Sequence, residues 1–109
     1  MKIIIAALAL GLALATPAFA TDAGSAALTA LGEINGVALA CQQPAIVSRT
    51  RNAVATTAAK TRANGEIFER ATNTAFLAQG KGLPCQDAVT LAERLSAAEK
   101  NLSAAFASQ

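Results

Sequence analysis

Two cysteines, Cys41 and Cys85, constrain this chain of 109 residues more than any other pair of positions. They are its only cysteines, they form no C-x-x-C, and the chain contains no histidine. A redox or metal site built on them lacks its usual companions, so a structural bridge is the expected use. Closing a loop of this length stabilises a small domain by about 4 kcal/mol, chiefly by restricting the unfolded chain. A bridge requires an oxidising compartment, and the N-terminus carries the signs of export to one. Lys2 precedes the apolar run Ile3–Ala15, and Ala18-Phe19-Ala20 follows Pro17, the order of parts in a cleavable signal peptide. As a helix that run reaches roughly 20 Å, too short for a hydrocarbon core of about 30 Å. Residues 1–20 are therefore expected to be cleaved, leaving 21–109 as a single helical domain in the periplasm. No cysteine directly follows the cleavage site, which disfavours a lipid anchor.

Without those twenty residues the core is thin. Residues 21–109 hold 22 alanines against 15 leucines, isoleucines and valines, with Phe68, Phe76 and Phe106 as the aromatic content. Alanine buries little area, so such a chain lies near the lower limit for folding on apolar burial alone. Alanine is also the best helix former, and strand markers are scarce, with no Tyr or Trp. Apolar spacing of three and four runs through Ala88, Leu91, Leu95, Ala98, Leu102 and Ala105, with Phe106 widening the stripe. A first helix starts near Asp22–Ser25, where side-chain oxygens offer caps, and Ala27, Leu31, Ile34, Ala38 and Cys41 share one side of it. Gly32 and Gly36 share another; each costs up to about 1 kcal/mol in helix propensity, so the close approach of a second helix is their expected purpose.

The stretch 45–79 reads either as one helix or as two. A single antiparallel helix would place Cys85 some 50 Å from Cys41, at about 1.5 Å per residue, whereas bridged Cα atoms lie within about 7 Å. A break among Thr57–Gly65 returns Cys85 to the end where Cys41 sits. The expected fold is all-α, an up-down four-helix bundle stapled by one disulfide, with helices near 23–40, 45–59, 62–79 and 86–106.

Chemistry is sparse. Lack of histidine removes Ser/His and Cys/His nucleophiles, and no nucleotide-binding or haem-attachment motif is present. No cofactor or metal is expected. Eight basic residues against seven acidic ones in 21–109 form no nucleic-acid footprint, and no later apolar stretch approaches a membrane span. Arg62, Glu66, Glu69 and Arg70 read as a ladder of helical ion pairs. Arg49, Arg51, Lys60 and Arg62 occur with no acid among them, and they are the candidate surface for an anionic partner. Phe68 and Phe76, two turns apart, are the candidate lining of a small apolar pocket.

In size, export and a single long-range disulfide the chain resembles the small periplasmic acid-stress chaperones of the HdeA type. The likeness is one of architecture, matches no motif, and implies an alternative function without site residues. The leading expectation is a non-enzymatic periplasmic accessory module that binds a protein partner. An acid-stress chaperone and a small-ligand or ion binder are the alternatives.

Overall fold

Local chemistry at the helix ends sets the element boundaries in the computed structural model, which describes residues 22–107. The expected signal peptide, its cleavage point before Thr21, and the polar end Ser108-Gln109 lie outside the described residues. Among the described residues there are four helices and no strand: α1 (22–40), α2 (Pro44–Thr57), α3 (Arg62–Gln79) and α4 (Ala88–Phe106).

The corner from α1 to α2 is tight. Gln42 takes a left-handed conformation, with φ 56°, and the Gln43 N–H donates back to the Ala38 carbonyl at 2.8 Å. Pro44 then opens α2, where its fixed φ suits the first turn and its missing N–H is not needed.

α2 ends at Thr57, two residues short of the expectation, because Ala58 turns extended. That leaves Thr61 available as the cap of α3, its side chain accepting the Asn64 N–H at 3.2 Å. Asn64 Nδ2 donates to the Ala59 carbonyl at 2.8 Å and ties the connection down. α4 begins at Ala88 rather than 86, since Asp87 Oδ1 accepts the Thr90 N–H at 2.7 Å as its N-cap.

The core joins the apolar stripes of all four helices. Leu28, Leu31 and Ile34 of α1 meet Leu91, Leu95 and Leu102 of α4, with Ile46 from α2 and Phe68 from α3 in the same cluster. α2 packs along α4, and of the pairs among α2, α3 and α4 only this one comes into close backbone contact.

α3 is instead seated on the glycine face of α1. A Cβ at Gly32 would lie 2.5 Å from the Ala71 Cβ and 2.6 Å from the Phe68 carbonyl oxygen. One at Gly36 would lie 2.8 Å from the Ala75 Cβ and would strike the Thr72 carbonyl. Real Cβ atoms cannot approach so closely, so the two glycines are what lets the helix backbones touch. Gly32 faces 68–72 and Gly36 faces 72–76, so the two helices run parallel, as first and third members of an up-down bundle must.

The bridge forms between Cys41 and Cys85, whose Cα atoms are 5.8 Å apart. It fastens the end of α1 to the segment that leads into α4, the end to which the break between α2 and α3 returns Cys85.

Candidate functional site

The structure does not gather the four basic residues into one patch. Arg49 points from α2 to α4, where Nη2 and Nε reach the Glu99 carboxylate at 2.7 and 3.1 Å and Nη2 also donates to Ser96 Oγ at 3.0 Å. The hydrogen bond to Glu99, more than its charge alone, holds the Arg49 guanidinium above its already high ordinary pKa. Arg51 turns to α3 instead. It reaches Glu69 at 3.3 Å and lies over the Phe68 ring, 5.7 Å from its centroid. Arg62 pairs with Glu66 one turn along its own helix at 3.3 Å, and Lys60 is exposed in the α2–α3 connection. The segment looks basic in sequence because its acids arrive from α3 and α4. Glu69 is likewise drawn from the expected ladder to Arg51, leaving Arg62–Glu66 as the intrahelical pair.

Phe68 and Phe76 do not line a common pocket. Phe68 is a core residue, 3% exposed, whereas Phe76 is 44% exposed. The two-turn spacing sets them roughly on one side of α3, but only Phe68 joins the core cluster.

Two other features have functional geometry. The first is the disulfide-bearing end. Every large apolar side chain exposed among the described residues lies there: Leu39, Phe76, Leu77, Leu83 and Val89. They occupy the last turns of α1 and α3, the α3–α4 connection and the first turn of α4. Around them stand Gln42, Gln43, Gln79 and Gln86 with the exposed Lys81 and Asp87, and two of the glutamines brace the end. Gln43 Nε2 donates to the Gln86 carbonyl at 2.9 Å and Gln79 Nε2 to the Leu83 carbonyl at 2.7 Å. The opposite turn, from Ala59 to Arg62, is exposed and polar.

The second is a groove of about 640 Å³ floored by α1 and walled by α3 and Arg94 of α4. It exists because α3 rests on α1 without closing against α4. Val37, Ile67, Ala75, Ala78 and Leu83 supply its apolar lining, and Glu33, Arg70 and Arg94 its charges. Sequence reasoning missed it. The signal was there in Arg70 and Ala78 flanking an alanine-rich α3 face, but which helix stood opposite was not.

Among the described residues no three His, Cys, Asp or Glu side chains cluster as metal ligands, and no helix is long and apolar enough to cross a membrane. No family model matches the chain, and neither a curated protein nor a solved structure shows significant similarity to it.

Proposed function

We propose that the protein is an exported, non-enzymatic helical module that binds another periplasmic polypeptide through its disulfide-bearing end. The observation that carries this reading is the confinement of Leu39, Phe76, Leu77, Leu83 and Val89 to that one end. Scattered exposed apolar residues need no explanation, but their concentration at one pole marks an interaction surface. Glutamines, Lys81 and Asp87 rim the apolar residues, and protein interfaces likewise set an apolar centre within a polar rim. Export rests on Lys2, Ile3–Ala15 and Ala18-Phe19-Ala20, and the non-enzymatic assignment on the residue types: no histidine, and both cysteines consumed by their bridge.

The test uses oxidised protein as bait in periplasmic extract beside Leu77→Asp and Val89→Asp, two positions exposed by 57% and 70%. The expected result is one stoichiometric companion retained by the wild type and lost by both variants at unchanged melting temperature. Sedimentation of the purified protein identifies the case in which the companion is a second copy. Equal retention by all three proteins rejects the assignment.

A second reading, the acid-stress chaperone, is favoured by the inter-helix ion pairs. Arg49–Glu99 and Arg51–Glu69 join α2 to α4 and to α3, and both need an ionised carboxylate. A strongly acidic medium leaves the chain cationic and able to expose its apolar interior. Client aggregation followed by light scattering at about pH 2–3 tests it, and absence of protection there rejects it.

A further inference from the structure

We infer that the groove between α1, α3 and Arg94 is a binding site for a single-chain amphiphile bearing one negative charge, such as a medium-chain carboxylate or sulfonate. This site adjoins the apolar end through which the protein is proposed to bind a partner and shares Leu83 and Gln79 with it.

The groove's polarity is ordered along the bundle axis. The backbones of Glu33, Arg70 and Arg94 stand at similar heights, roughly 9–14 Å from the disulfide end at 1.5 Å per residue, and the Arg94 guanidinium reaches from there up toward Gln86. Above them Val37, Ala75, Ala78 and Leu83 line the way to that end, with Thr74 and Gln79 as the polar residues of the stretch. A charged belt therefore meets an apolar run about two helical turns long, the dimensions of a short alkyl chain beneath its head group. The volume falls within the range of small-molecule sites.

Charge selects the head group. Among the described residues no carboxylate lies within ion-pair distance of Arg70 or Arg94, although every other arginine of the bundle has one. Arg94 is held by a hydrogen bond to Gln86 Oε1, a neutral acceptor. Two guanidinium groups and the Glu33 carboxylate leave one positive charge, which one monoanion balances. Guanidinium groups recognise carboxylate and sulfonate oxygens through paired N–H donors.

The upper end of the groove is preformed. Gln79, itself a lining residue, holds the Leu83 carbonyl, and the following Cys85 is bonded to Cys41. Little ordering is then required when a chain enters.

The experiment is calorimetric titration of purified, oxidised protein with monomeric octyl and decyl sulfonate, octyl glucoside and octyltrimethylammonium. The sulfonates are expected to bind tightest, with a gain of up to about fourfold per added methylene. Arg70→Gln combined with Arg94→Gln should weaken sulfonate binding roughly tenfold while leaving octyl glucoside unaffected. Glu33→Gln should strengthen the sulfonates. Ala78→Trp, at an exposed position on the groove wall, should abolish binding of every chain whatever its head. Equal affinity for the cationic and anionic amphiphiles, no heat from either sulfonate, or unaltered binding by Ala78→Trp at wild-type melting temperature would each overturn the assignment. Partner capture lost in Leu77→Asp and Val89→Asp while sulfonate binding stays intact, or the reverse in the Arg70/Arg94 variant, tells the failure of one assignment from that of the other.

Discussion

Asn35 of α1 donates from Nδ2 to Thr72 Oγ1 of α3 across 3.2 Å, in the middle of the contact that Gly32 and Gly36 make possible. Asn35 is fully buried and Thr72 nearly so. The Thr72 hydroxyl in turn donates to the Phe68 carbonyl at 2.9 Å, and Asn35 Oδ1 has no partner among the described residues. A buried polar pair at a contact between small residues tolerates few other alignments. Sliding α3 along α1 would leave the amide wholly unpartnered as well as driving backbone into backbone.

Thr72→Val should therefore destabilise the protein by about 1–3 kcal/mol, because it strands the Asn35 amide. Adding Asn35→Leu should recover part of that loss, since an apolar pair leaves nothing unsatisfied. Urea unfolding of the two single variants and the double variant measures the coupling. Strict additivity would show that the bond does not hold the contact together.

Gly36→Ala and Gly65→Ala should act in opposite directions. At Gly36 the new methyl would meet the Ala75 Cβ and the backbone of α3, and overpacking of this kind costs about 1–3 kcal/mol. At Gly65, inside α3, nothing lies within 4 Å of the added atom, so the gain in helix propensity of up to about 1 kcal/mol appears unopposed. Thermal melting distinguishes them: the first variant melts lower than the wild type and the second higher.

Removing the bridge through Cys41→Ser with Cys85→Ser should cost about 4 kcal/mol, given a loop of 44 residues. Much of a small domain's stability is of that order, so the reduced chain is expected to be largely unfolded at 37 °C. Circular dichroism with and without reductant reads the change, and an unaltered melting curve would remove the staple from the account.

Stability should also fall with acid through Asp87. The Thr90 N–H, seconded by the Thr90 hydroxyl, holds the Asp87 carboxyl below the ordinary aspartate value. A carboxyl depressed in the folded state contributes stability that is fully present above its unfolded pKa and lost as pH falls through the folded one. The expected window begins near about pH 4 and extends downward. Asp87→Asn keeps an accepting oxygen without the charge, so the melting-temperature difference between it and the wild type should shrink across that window. A difference that stays constant from about pH 6 to the bottom of the window would show that the charged cap contributes nothing.

How much of this was legible beforehand varies with the kind of residue. The α4 stripe is buried as its spacing indicates at Leu91, Leu95, Ala98 and Leu102, though Ala88 at its start is exposed and Ala105 half-buried, and α1 buries Ala27, Leu31, Ile34 and Ala38. Helix ends were legible to within two residues. The misses came where a cap decided the boundary: Asp87 took the N-cap of α4, and Ala58 turned extended ahead of the Thr61 cap. Phe68 and Phe76 carry identical local signals, yet one is core and the other surface.

What the sequence determined by itself was the set of helices and their number. Periodicity is a property of one segment, and a bridge between Cys41 and Cys85 favours a break over a single antiparallel helix across 45–79. The tertiary structure decided which surfaces meet. Gly32 and Gly36 announce a close neighbour without naming it, and only packing chose α3, whose Ala71, Thr72 and Ala75 are small enough to enter. That choice holds α3 on α1 and away from α4, which opens the groove beside Arg70 and Arg94. It also sends Arg49 and Arg51 to different helices, dissolving the basic surface that the segment displays in isolation. The rotation of a helix about its own axis is fixed by its neighbours' side chains, and no single segment contains that information.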